Sequence, residues 1–165
     1  MIDETILGEA AALLADCRAR RLLLATAESC TGGLIAATLT AIAGSSDVVE
    51  RGFVTYSNAA KTELLGVPAG LIAEVGAVSE AVARRMAEGA VQHSPADLAI
   101  AVTGVAGPGG ATPDKPVGLV WFGLARRDGP VRAESRVFPG DRTEVRRATV
   151  AHALGLLRAA IAGSS

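Results

Sequence analysis

Apolar residues recur at helical spacing from residue 3 to about residue 20. Ile6, Ala10, Leu13, Leu14 and Cys17 share one face, and Arg18, Arg20 and Arg21 gather where cations suit a helix C-terminus. The pattern then changes. Residues 22–27 begin with the unbroken run Leu22-Leu23-Leu24-Ala25, as expected of a strand buried on both faces. An alanine-rich helical segment covers 31–43 and ends near Gly44, before the polar turn Ser45-Ser46-Asp47. Residues 48–57 read as a second strand. A helix over 58–65 contains Lys61 and has Gly66 at its end. Pro68 opens a short helix to Ile72, and Ser79 caps another to about Gln92, with Val82, Met86 and Ala90 on one face. The third strand, 97–103, leads into a loop from Gly104 to Pro116. A loop of that length in a compact domain is more often functional than idle. Strands 117–126 and 131–138 are joined at Arg127-Asp128-Gly129-Pro130, a hairpin signal. Asp141 caps the last helix, with Glu144 three residues on. Val145, Ala148, Val150, Leu154, Leu157 and Ile161 make that helix apolar on more than one side, so it should be largely buried.

These elements predict one α/β sandwich domain over 1–165. Its sheet is mixed and mostly parallel, with a C-terminal antiparallel hairpin and helices on both faces. Half the residues are hydrophobic but only 3% are aromatic, so Ala, Val and Leu must fill the core and helices can approach the sheet closely. A net charge of −1 gives no electrostatic case for nucleic acid. No apolar run reaches the roughly 18 residues of a membrane span. Asp3, Glu4 and Glu9 fall where a signal peptide would be basic and apolar. A cytoplasmic protein without a membrane partner is the expectation. Two cysteines are too few for a disulfide framework or a zinc site. Cys17 is expected to be a buried thiol, His93 a helix-end residue, and His152 a core or interface histidine.

Thr26-Ala27-Glu28-Ser29-Cys30-Thr31-Gly32-Gly33 joins the first strand to the second helix. A strand that ends in a polar, glycine-containing turn can expose a nucleophile, and helix N-terminal amides can hold an oxyanion. The plain alternative is an N-cap supplied by Ser29 or Thr31. Right-handed crossovers would make strands one to three parallel, so that Ser29, Tyr56, Lys61 and Thr103 all fall at one edge. An antiparallel fourth and fifth strand would return Arg142 to the same edge, where ligands of open α/β sheets bind. Ser46 starts strand two and should lie at the far edge unless a second subunit supplies it. The group offers no histidine and no carboxylate cluster, which disfavours a Ser-His-Asp triad and metal hydrolysis. It permits a Ser–Lys pair, provided that burial or a cation such as Arg142 lowers the lysine pKa. Tyr56 could relay the proton or orient the lysine, and Arg142 could hold a phosphate or carboxylate. Equally, Lys61 could be solvated, Tyr56 could pack, and Thr103 could cap a turn. Ala27-Glu28-Ser29-Cys30-Thr31 is not G-x-S-x-G. The loop after Thr103 is neither a G-x-G-x-x-G fingerprint nor a Walker A loop.

At these residues the chain closely resembles the CinA C-terminal domain family in its stand-alone nicotinamide-nucleotide amidase form. The matching segments, nearly end to end, are residues 26–33; Gly44-Ser45-Ser46; Gly52 to Asn58 with Lys61; Gly76-Ala77-Val78-Ser79; Thr103 to Pro108; Lys115 to Trp121; and Phe138 to Arg142. The resemblance implies hydrolysis of the amide of nicotinamide mononucleotide to nicotinate mononucleotide and ammonia, in pyridine-nucleotide recycling. It implies no metal or other cofactor, and a homodimer or higher homo-oligomer. It makes Ser29, Tyr56 and Lys61 catalytic positions, with Ser46, Thr103 and Arg142 as further site positions. Substrate is then expected against Glu28, Cys30, Thr31, Gly32, Gly33, Thr103, Gly104 and Arg142. Two serines and one lysine also allow a relay with Ser46 as nucleophile. Ser29 is preferred, because a helix N-terminus stands behind it. The competing functions are a non-catalytic nucleotide-binding or interaction module of the same fold, and an esterase or amidase for another small acyl substrate.

Overall fold

The apolar run that follows the first helix becomes the heart of the sheet. The computed structural model describes residues 2–163. Helix α1 (Glu4–Ala19) is capped by Asp3, whose side chain accepts from the Ile6 amide. Arg21 then takes a left-handed conformation, and the Leu23 amide donates to the Asp97 carboxylate. Leu22 and Leu23 are spent on this return, so strand β1 is Leu24–Glu28 and starts later than the run suggests. Helix α2 (Leu34–Thr40) is shorter than expected at both ends. Gly32 and Gly33 have φ of 57° and 103°, which keeps residues 31–33 as a turn. Strand β2 (Val49–Val54) stops three residues early: the Thr55 amide makes a last bond to the Glu28 carbonyl, and the chain then turns away so that Ser57 caps α3 (Asn58–Leu65). Helices α4 (Ala69–Val75) and α5 (Glu80–Gln92) precede β3 (Leu98–Gly104). Helix α4 runs three residues past the predicted end. The hairpin strands are β4 (Leu119–Arg126) and β5 (Val131–Val137), with Asp128 left-handed in the turn. Helix α6 (Arg142–Ala162) is capped by Asp141, which accepts from the Glu144 amide.

The sheet order is β2-β1-β3-β4-β5. Strand β1 pairs in parallel with β2 and β3, while β4 runs antiparallel to both β3 and β5. The C-terminal ends of β1, β2, β3 and β5 therefore share one edge. Glu28 lies opposite Val54 on one side and Val102 on the other, so the turn after it emerges at the middle of that edge.

Helices cover both faces. Helices α1, α2 and α6 bury Leu13, Leu14, Ile35, Leu39, Leu154 and Leu157 against Leu24, Ile100 and Phe122. Helices α3, α4 and α5 bury Leu65, Ile72, Val82, Met86 and Ala90 against a face made largely of alanine: Ala25, Ala27, Ala99 and Ala101. Small sheet residues let the backbone of α5 approach closely. A Cβ at Gly123 would lie 2.2 Å from the Ala83 carbonyl oxygen. Cys17 is fully buried, and the His152 ring packs 4.7 Å from Phe122 with Nε2 3.0 Å from the Glu134 carboxylate. His93 lies exposed just past α5, as expected. No described helix is long and apolar enough to cross a membrane.

Candidate active site

Ser57 starts α3 by accepting the Ala60 amide, and this places Lys61 one turn in, facing the sheet edge. Lys61 is only 1% exposed. Its Nζ donates to Ser29 Oγ at 3.0 Å, to the Thr55 carbonyl at 3.0 Å and to the Tyr56 carbonyl at 3.4 Å, with the Ser57 carbonyl at 3.5 Å. Burial pushes the amine below the ordinary lysine value, opposed by a smaller pull from the neighbouring Cys30. As a neutral amine, Lys61 can keep two N–H bonds to carbonyls and turn its lone pair to the Ser29 hydroxyl. That is the arrangement a base needs to take a serine proton.

Ser29 follows the last residue of β1 and is 9% exposed. Its amide donates to the Val102 carbonyl, and its own carbonyl accepts from Gly32. The side chain is thus fixed by backbone bonds on two sides.

The structure corrects several substrate-contact expectations around this turn. Glu28 is fully buried and does not face a cleft. Its carboxylate accepts from Thr31 Oγ1 at 2.5 Å and from the Ile35 and Ala36 amides at 2.8 and 3.0 Å. It therefore consumes N-terminal amides of α2, favourably placed at the positive end of the helix. Thr31 points its hydroxyl inward to Glu28. Cys30 belongs to the core, and burial pushes its thiol up to about 12. The Gly32 amide is taken by Ser29. The amides of Cys30, Thr31 and Gly33 have no carbonyl or carboxylate acceptor among the described residues, and an oxyanion would draw its donors from these three.

Glu28 should tolerate little change. In Glu28→Gln an amide NH2 must face one of three donors, leaving a buried N–H without an acceptor. A loss of about 2 kcal/mol is expected, read as a fall in melting temperature of roughly 4–8 °C.

The rim of the site carries Tyr56 and Arg142. Tyr56 is 61% exposed, and its hydroxyl accepts from Arg142 Nη2 at 3.0 Å. Arg142 Nη1 donates to the Gly107 carbonyl at 2.9 Å, tying the start of α6 to the long loop. Tyr56 reaches Lys61 through its backbone carbonyl, while its ring stays on the rim. Thr103 lies at the edge as expected, but its hydroxyl donates to the Ala77 carbonyl and fastens the segment before α5. Gly104 has no room for a side chain. A Cβ there would sit 2.8 Å from the Leu119 carbonyl oxygen. Ser46 is not brought to the site within one chain. It lies exposed on the 3-10 turn Ser45–Asp47, ahead of β2, so the length of that strand separates it from Lys61.

The sequence did not single out Arg146. Its Nη2 donates to the Thr31 carbonyl at 3.1 Å, which brings α6 onto the Ser29 turn. The available signal was its spacing, one helical turn after Arg142.

Residues 8–161 match the model of the CinA C-terminal domain. The chain belongs to that family. This CinA domain is 49% identical to the competence/damage inducible protein CihA from Agrobacterium tumefaciens. The structural match covers 96% of this chain and 97% of that one, with a TM-score of 0.93. A CinA superfamily protein from Escherichia coli is 37% identical, covering 96% and 92% of the two chains, with a TM-score of 0.89. Among curated sequences, a CinA-like protein of Akkermansia muciniphila is 55% identical over 136 residues, which cover 82% of this domain and 33% of the relative. A putative competence-damage inducible protein of Symbiobacterium thermophilum is 50% identical over 169 residues, 98% of this domain and 39% of the relative. This CinA domain thus spans about a third of the length of these curated relatives.

Proposed function

We propose that this domain is a metal-independent amidohydrolase that uses Ser29 and Lys61 to convert nicotinamide mononucleotide to nicotinate mononucleotide and ammonia, in pyridine-nucleotide recycling. The observation that carries the proposal is a buried lysine amine 3.0 Å from a serine hydroxyl, with no carboxylate among its bonded partners. Ser29 Oγ attacks the amide carbon while Lys61 takes its proton. The oxyanion is received by the Thr31 and Gly33 amides. Lys61 then returns the proton to the departing nitrogen. Ammonia leaves, and the acyl group remains on Ser29. Water, deprotonated by Lys61, cleaves that ester and restores the serine. Tyr56 and Arg142 stand at the rim, where the remainder of the nucleotide would lie, and Arg142 offers a guanidinium to an anionic group.

The test is to treat the purified protein with a chelator, incubate it with nicotinamide mononucleotide, and follow ammonia and nicotinate mononucleotide. Release of both in equal amounts after chelation is the expected outcome. Binding without release would sink the amidase and leave a nucleotide-binding module. Release from simple esters or other amides, but not from the nucleotide, would move the activity to another acyl substrate.

A further inference from the structure

Thr31 is held from two sides by groups far apart in sequence. Its hydroxyl donates to Glu28 of β1, and its carbonyl accepts from Arg146 of α6, 115 residues away. The segment between Ser29 and α2 contains two left-handed glycines, so its own conformational preferences restrain it weakly. Local bonds from Gly32 to the Ser29 carbonyl and from Leu34 to the Thr31 carbonyl close the turn, and Arg146 adds the one bond from α6, to the same Thr31 carbonyl. Arg146 differs from Arg147 and Arg158 on the same helix and, among the described residues, shares with Arg142 the lack of a carboxylate partner. Arg147 pairs with Asp3, and Arg158 pairs with Glu9 and Asp16. Among the described residues Arg146 has no carboxylate partner, and its buried Nε has no acceptor. Its Nη2 would lie 3.9 Å from a Cβ on Gly32, so an unneutralised guanidinium stands directly behind the turn.

We infer that Arg146 is a positioning residue for the Ser29 centre: it holds the Thr31 carbonyl and so fixes the amides that receive the developing oxyanion. The kinetic part of this inference rests on the amidase proposal above. Its structural part does not. A guanidinium suits the task, because one rigid planar group can hold a carbonyl while placing positive charge beside a site that becomes negative in the transition state. Arg146 touches neither Ser29 Oγ nor Lys61 Nζ among the described bonds, so it acts through Thr31.

The test uses the whole chain with Arg146→Met and Arg146→Lys. Amide hydrogen exchange of residues 31–34 is read by NMR under native conditions, with thermal melts as the control. Exchange at Gly32 and Leu34, the amides bonded within the turn, is expected to quicken about threefold in Arg146→Lys and about tenfold in Arg146→Met, with β3 amides unchanged. Turnover of nicotinamide mononucleotide is expected to lose roughly 10- to 100-fold in kcat with KM within about threefold, the lysine variant retaining more than the methionine one. Unchanged exchange at both amides overturns the inference. So does a raised KM with normal kcat, which would make Arg146 a ligand for the substrate's anionic group. If the wild-type protein releases no ammonia, the amidase proposal falls and the exchange comparison alone decides the role of Arg146. If Arg146→Met does not fold, wild type against Arg146→Lys decides it.

Discussion

Replacing Lys61 with methionine is expected to reduce amide hydrolysis roughly a thousandfold or more while leaving the fold as stable as before, or more so. Catalysis and stability pull in opposite directions at this residue. The proposed mechanism requires an amine that accepts the Ser29 proton, and among the described residues Lys61 is the one nitrogen base bonded to Ser29 Oγ. Stability gains nothing comparable, because the amine is shut away from water without an ionic partner and burial lowers its pKa. The sign follows from proton counting. Between the depressed pKa and the ordinary lysine value, the folded chain binds fewer protons than the unfolded one. Stability therefore rises with pH across that window and is lost as pH falls through the depressed value. Lys61→Met lacks that dependence. Methionine is unbranched and fills a similar volume, so little packing is lost. Near-normal turnover in the variant would exclude lysine as the base. The same shift sets the wild-type rate profile: kcat/KM should fall on the acid side as Lys61 becomes protonated.

The second large effect separates two serines. Ser29→Ala is expected to lose turnover on the order of ten-thousandfold or more, with a stability change of about 1 kcal/mol or less. Ser46→Ala should keep turnover within about threefold, because Ser46 is exposed at the opposite end of β2. Ammonia release and thermal melts on both variants decide the matter. The reverse result would mean that a second subunit brings Ser46 to Lys61, and that Ser29 only binds the lysine.

Much of this site was readable before any coordinates. Strand direction follows from helical crossovers and one hairpin, and it brings Ser29, Tyr56, Lys61, Thr103 and Arg142 to one edge, whereas the order β2-β1-β3-β4-β5 came from the structure. What the sequence could not say is which way each side chain turns there. Glu28 and Ser29 are neighbours at a strand end, yet one turns under α2 and the other meets Lys61. Alternation along β1 accounts for that, with Leu24 and Glu28 on the α2 face and Ala25, Ala27 and Ser29 toward α3; the left-handed Gly32 and Gly33 set the path of the turn beyond, which alternation does not encode. The amides of Gly32 and Gly33 looked alike in the sequence, but a backbone bond from Gly32 to Ser29 leaves only the second free. Arg146 escaped notice because it belongs to no motif. Its role comes from α6 crossing the Ser29 turn, a tertiary fact. Element ends also shifted by up to three residues; a left-handed glycine accounts for the start of α2 and a cap for the end of β2.

Apart from Ser29, every acceptor bonded to Lys61 is a main-chain carbonyl from three consecutive residues, 55 to 57. The bonds that hold the amine are therefore set by the path of the backbone, while burial lowers its pKa, and neither depends on which side chains stand at the rim. Tyr56 shows the separation within one residue: its carbonyl serves the lysine, while its ring faces solvent. Rim positions can then be exchanged to admit different substrates without retuning the base. Under the proposed chemistry, a Ser–Lys pair built this way is open to diversification, by evolution or in the laboratory, while the reaction stays constant.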